Sequence, residues 1–104
     1  MGKRDSLTEG EVEADVAEKV IEPPLYKVWL VNDDYTAMEF VVEILMSVFR
    51  KSPEEAVDIM LRVHKEGVGL CGVFTFDVAE TKVETVHVLA REKGFPLKCT
   101  MERE

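Results

Sequence analysis

The sequence predicts an α+β domain of order β-α-α-β-α-β, with three helices packed on a small three-stranded sheet behind a mobile N-terminal tail. Three observations lead there. Apolar residues switch between a spacing of two and a spacing of three to four along the chain. Thr36 with Glu39, and Ser52-Pro53 with Glu55, have the composition of helix starts. Gly67 and Gly94 stand where helical patterns stop. At 104 residues and 46% hydrophobic content, the chain is sized for one domain with one core.

In chain order, residues 1–24 form an expected acidic extension. They hold seven acids and three bases, a net −4 of the whole chain's −8. Few apolar groups lie among them, so the segment is expected to stay mobile up to the stiff Pro23-Pro24 boundary. Val12, Val16 and Val20 recur every four residues and would make a weak helical stripe on a partner. Residues 25–104 are the expected folded core. "YKVWLV" (26–31) is aromatic and β-branched, a strand that stops at Asn32. Thr36 is expected as an N-cap with Glu39 completing a capping box, and Tyr35 with Phe40 as a hydrophobic staple. The stripe Val41, Ile44, Leu45, Val48, Phe49 carries that helix to about Arg50.

Ser52, Pro53 and Glu55 start a second helix marked by Ala56, Met60 and Val63 and stopped by Gly67. "GLCGVFTF" (69–76) reads as a second strand alternating around Leu70, Gly72, Phe74 and Phe76, with Gly72 marking a close approach or a bulge. Asp77 with Glu80 resembles another helix start. Ala79, Val83, Val86 and Ala90 form the stripe of a third helix, and Gly94 ends it. Leu97, Cys99 and Met101 alternate as a short last strand.

Charge and composition exclude several function classes. A net charge of −8 without a Lys/Arg stripe disfavours nucleic acid and anionic lipid as partners. No run of 18 apolar residues and no secretory-type N-terminus occurs, so a cytoplasmic protein is expected, with neither membrane insertion nor export. Cys71 and Cys99 are expected as separate buried thiols rather than a disulfide or a metal knuckle. A monomer without a cofactor is the default for so small and charged a domain.

No Ser/His/Asp arrangement, phosphate loop or HExxH motif is present, so no catalytic residues are assigned. His87 lies beside Val83 and Val86 with no assignable polar neighbour, a surface or core-edge residue. Asn32, Asp33 and Asp34 are either ordinary turn residues or part of a site. With His64, the two carboxylates are conceivable metal ligands, but no further ligand stands at suitable spacing, and no metal is assigned. For any one of Met38, Met60 and Val63 ordinary core packing is the better expectation, yet their placement also allows the wall of an apolar slot rimmed by Asn32, Asp34 and His64.

The blocks "LYKVWLVNDDYTAMEFVVEIL", "AVDIMLRVHKEG", "GLCGVFTFDVAETKV" and "FPLKCTME" together resemble the ClpS adaptor family of the bacterial ATP-dependent Clp proteases, over residues 25 to 103. The resemblance implies a non-enzymatic adaptor. It would recognise N-degrons, substrates beginning with Leu, Phe, Tyr or Trp, and deliver them to the N-terminal domain of the AAA+ unfoldase ClpA, altering that enzyme's choice of substrates. It further implies that Asn32, Asp34 and His64 bind the substrate's α-amino group and that Asp33 and Thr36 shape the loop. The first side chain would then enter a pocket gated by Met38 and lined by Val41, Met60, Val63 and Leu97. Asp77, Glu80 and Lys82 match the block that contacts the unfoldase. Ala37 departs from the family, which commonly has Pro there; Ala keeps the helix and loosens its start. Two other readings remain: a general interaction module resembling the ribosomal stalk's C-terminal domain, without an N-terminus pocket, and a small carboxylate/histidine hydrolase, which lacks a nucleophile.

Overall fold

The computed structural model describes residues 22–104. The expected mobile tail, including the Val12, Val16 and Val20 stripe, lies outside the described residues. The elements are β1 (Leu25–Val31), α1 (Met38–Ser47), α2 (Pro53–Glu66), β2 (Val68–Thr75), α3 (Phe76–Lys93) and β3 (Lys98–Arg103). The predicted β-α-α-β-α-β order is therefore present. β1 is central and antiparallel to both neighbours, in the order β2-β1-β3.

The alternation in "YKVWLV" makes β1 two-sided. Val28 and Leu30 are fully buried and meet Ile44 and Leu45 of α1, Ala56 and Val63 of α2, and Ala79, Val86 and Ala90 of α3 in one core. Lys27, Trp29 and Val31 alternate with them and take the opposite face. Phe40 of α1 packs against Phe95, ring centres 5.1 Å apart, and closes the core below the last helix.

Two helix stops agree with expectation. Gly67 and Gly94 hold left-handed φ angles of 92° and 78°, and their N–H groups return to Val63 and to Ala90 and Arg91 carbonyls. The capping box at Ser52 is also formed, with Ser52 Oγ accepting from Glu55 N–H at 3.2 Å and Glu55 Oε1 accepting from Ser52 N–H at 3.1 Å.

Several boundaries differ from the sequence reading. Ala37, not Thr36, is the N-cap of α1, and no side chain caps it, so the Thr36–Glu39 box is absent. Asp33 has taken Thr36's groups for the preceding loop. Ala37 has φ −65° and ψ 139°, an angle pair that a proline ring would also adopt. Tyr35 is 79% exposed, so the staple with Phe40 is not made. α1 ends at Ser47 rather than Arg50, because Arg50 turns into a left-handed φ of 58°. Lys82 from α3 seals this end. Its ammonium donates to the Val48 carbonyl at 2.8 Å and lies 5.4 and 5.8 Å from the Phe74 and Phe49 ring centres.

α3 starts one residue before Asp77, with Thr75 as N-cap and no side-chain cap, so the Asp77–Glu80 box is likewise absent. The inward phase of β2 also changes within the strand. Gly69 and Cys71 face the core, Leu70 is exposed, and a bulge opposite Val28 and Trp29 shifts the register so that Phe74 faces inward again. A uniform alternation through Leu70, Gly72 and Phe74 misses this bulge, although Gly72 is its marker.

Cys71 and Cys99 are free and buried on the two strands that flank β1. Burial pushes both thiols up, Cys99 to about 12, which keeps them protonated and inert. His87 does have a polar partner. Its Nε2 accepts the Cys99 N–H at 3.0 Å, so the imidazole covers part of the outer edge of β3.

Candidate functional site

The end of β1, the start of α1 and the last turn of α2 converge on one cleft of about 200 Å³. Surveyed pockets for drug-sized molecules run from about 300 Å³ upward, so this one is scaled to a single bulky side chain. Its floor is Val41, Val63 and Leu97, at most 6% exposed. Met60 is half-buried on one wall, and Met38, 44% exposed in the first turn of α1, stands at the mouth. Val31, Asn32, Asp33, Asp34, Thr36 and His64 complete the lining.

A main-chain bond explains how residues 32 and 64 come together. Asn32 N–H donates to the carbonyl of Gly67 at 2.8 Å, which ties the end of β1 to the stop of α2. His64 is three residues before that glycine, in the same last turn. Gly67 is required there because its φ of 92° lets α2 turn directly into β2.

Asp33 builds the loop. One carboxylate oxygen accepts from Tyr35 N–H at 2.8 Å and Thr36 N–H at 2.7 Å, and the other accepts from the Thr36 hydroxyl at 2.8 Å. Partial burial pushes this carboxyl up, but the three donors outweigh it and hold it below its ordinary value. The loop is thereby fixed with Asn32 and Asp34 on the rim, both exposed. Among the described residues, the side chains of Asn32, Asp34 and His64 form no hydrogen bond; Asp33 uses both of its oxygens internally. The rim thus presents a carbonyl oxygen, a carboxylate and an imidazole around an apolar floor, a set able to accept hydrogen bonds from a cationic donor.

A depressed carboxylate stabilises the fold above its unfolded value, near pH 4, and that contribution is lost as pH falls through the folded value. Asp33→Ala is therefore expected to lower Tm at pH 7 by several degrees, on the order of 1 kcal/mol of hydrogen bonding. The gap should narrow between pH 5 and pH 3. Calorimetric scans giving a constant gap over that range would show that the charge does not hold the loop.

All ten residues expected for amine binding, loop shaping and the side-chain pocket line this cleft. Val31 was missed. As the last apolar residue before Asn32 it reads simply as strand. Asp77, Glu80 and Lys82 lie elsewhere, along α3, with Asp77 and Glu80 exposed and the Lys82 ammonium engaged as described above. Among the described residues no three His, Cys, Asp or Glu side chains converge as a metal site, and no helix is long and apolar enough to cross a membrane.

The family model described as ATP-dependent Clp protease adaptor protein ClpS matches residues 21–100. The chain belongs to the ClpS family. An ATP-dependent Clp protease adapter protein ClpS from Desulforapulum autotrophicum is 58% identical over 95% of this chain and 99% of its own length. One from Maricaulis maris is 63% identical over 79% of this chain and 75% of its own. The solved structure of Agrobacterium tumefaciens ClpS2 bound to L-phenylalaninamide is 44% identical, with a TM-score of 0.77, covering 80% of this chain and all of that one. ClpS proteins are adaptors rather than enzymes, and this chain is an adaptor of the Clp protease.

Proposed function

We propose that this adaptor recognises proteins by a free N-terminus carrying a bulky apolar first residue, Leu, Phe, Tyr or Trp, and delivers them to a ClpA-type AAA+ unfoldase. The carrying observation is the pairing in one cleft of an apolar floor, Val41, Val63 and Leu97, with three exposed acceptors, Asn32, Asp34 and His64. A chain-start ammonium has donors for all three. An internal amide has one neutral N–H and a chain on both sides. The ligand of the Agrobacterium relative, phenylalaninamide, joins a free amino group to a bulky ring, which is the same pairing of chemistries.

The energetics require both halves. Burying a Leu or Phe side chain contributes about 1.5–3 kcal/mol, and each charged hydrogen bond about 1.5–3 kcal/mol. Micromolar binding needs about 8 kcal/mol net; burial alone falls short of it, and the hydrogen bonds approach it only at the top of their range, before the entropic cost of association is subtracted. Met38 and Met60 are unbranched and polarizable, suited to moulding around side chains of different shape.

Delivery uses a second surface on α3, where Asp77 and Glu80 are exposed to the unfoldase's N-terminal domain and Lys82 holds the corner beside them. The protein works as a monomer in the cytoplasm, with residues 25–104 as the recognition core and the acidic extension acting on the unfoldase.

A fluorescent peptide beginning with Phe is expected to bind with micromolar affinity or better, and the same peptide acetylated at its N-terminus to lose binding at least a hundredfold. With purified unfoldase and peptidase, the chain should also speed loss of a reporter beginning with Phe but not of one beginning with Met. Equal affinity for the free and acetylated peptides would overturn the reading and favour a general interaction module.

A further inference from the structure

Among the described residues nothing covers the sheet face opposite the helices, and its composition is uneven. Cross-strand pairing sets its residues in rows: Val68–Val31–Lys98, Leu70–Trp29–Thr100 and Val73–Lys27–Glu102. The β3 side is polar, and Glu102 Oε2 accepts the Trp29 indole N–H at 3.0 Å. The β2 side is apolar and open, with Val68 41%, Leu70 37% and Val73 36% exposed. β2 is an edge strand without a single charged residue, whereas exposed edges are ordinarily guarded by charge. The phase change at the bulge matters here. Without it, Val73 would face the core and the row would end at Leu70.

Val31 joins this stripe to the cleft. It lines the cleft wall and also heads the stripe through its pairing with Val68. We infer that the stripe Val31, Val68, Trp29, Leu70 and Val73 is a bed for the substrate segment that follows the residue held in the cleft, favouring apolar side chains there. This rests on the proposed recognition of chain starts. Continuity decides the occupant, because any chain that leaves the cleft over Val31 meets Val68 and Leu70 next. From Val31 to Lys27 is four strand residues, about 13 Å, which four residues of an extended substrate span. A second copy of this chain would carry the same net charge of −8, and repulsion between like-charged copies opposes self-association. A bed that reads apolar character without polar pairing suits a guest that is itself unfolded.

Two peptides test the bed, both starting with Phe. One continues with glycine and serine; the other carries apolar residues at positions three to six. The apolar peptide is expected to bind the native chain about five- to tenfold tighter, as partial burial of one or two side chains would give. It should also shift the emission of Trp29, the one tryptophan in the chain. In Leu70→Asp, and in the milder Leu70→Ser, the gain should vanish while the glycine–serine peptide binds as it does to the native chain. Equal affinities in the native chain, or a gain that survives both variants, would overturn the bed. So would a native dimer in sedimentation that Leu70→Asp dissolves, which would assign the stripe to a second copy. Binding of the glycine–serine peptide that is lost on N-acetylation, without any gain from the apolar one, refutes the bed alone. Binding indifferent to acetylation refutes the recognition reading beneath it.

Discussion

Asp34→Ala and His64→Ala are each expected to weaken binding of a Phe-starting peptide by ten- to a hundredfold while leaving the fold intact. Both side chains are exposed and form no hydrogen bond among the described residues, so their removal strands no buried group. The loss is that of one charge-assisted hydrogen bond to an ammonium, about 1.5–3 kcal/mol, and each 1.4 kcal/mol is a factor of ten. Asp34→Asn separates the two contributions of the carboxylate. It keeps an acceptor oxygen and removes the charge, so its loss should fall between those of the native chain and Asp34→Ala. Asp33→Ala, by contrast, should lower both Tm and affinity, since Asp33 touches the ligand only through the loop it holds. Fluorescence anisotropy with circular dichroism on the same samples gives both readouts. Native affinity in both Asp34→Ala and His64→Ala would remove the amine-binding role from this rim.

Which parts of the molecule were legible in advance follows from how local their causes are. Ser52, Pro53 and Glu55 determine a helix start within four residues, and the box formed as its chemistry dictates. Thr36 has the same local composition, yet Asp33 outcompetes the helix for its N–H and hydroxyl. A short polar side chain can serve a loop or a cap, and sequence spacing does not rank the two. The Lys82 ammonium that seals the end of α1 comes from thirty-four residues away in sequence, and the acceptor role of His87 depends on Cys99. Long-range partners of this kind leave no periodic trace. The cleft was legible because its parts fall at element ends that punctuation residues mark: Asn32 at a strand stop, Met38 at a helix start, His64 before Gly67. Periodicity could not decide whether Met60 and Val63 belong to core or cleft. They serve both, since α2 turns one stripe toward the sheet and the mouth of the cleft together.

That double duty makes Gly69→Ala the most informative packing change. A Cβ on Gly69 would stand 2.6 Å from Val63 Cγ2, 3.1 Å from the Ile59 carbonyl oxygen and 3.2 Å from Ile59 Cγ2. Val63 is β-branched and held to one rotamer in a helix, and the Ile59 oxygen is helix backbone, so neither can yield alone. α2 must move off β2 as a body. Overpacking of this kind costs about 1–3 kcal/mol, which for a domain of this size lowers Tm by roughly 4–8 °C per kcal/mol. The same helix carries Met60, Val63 and His64, so the movement should open the cleft floor and draw the imidazole away from Asn32 and Asp34. Peptide affinity measured well below Tm, where the variant is fully folded, is therefore expected to fall by about tenfold or more. Pairing the change with Val63→Ala removes the closest clash, and the two losses in Tm should then sum to less than their separate values, the signature of residues in contact. Gly69→Ala with native Tm and native affinity would mean that the spacing between α2 and β2 does not set the width of the cleft. Strict additivity in the double variant would place the strain somewhere other than the contact with Val63.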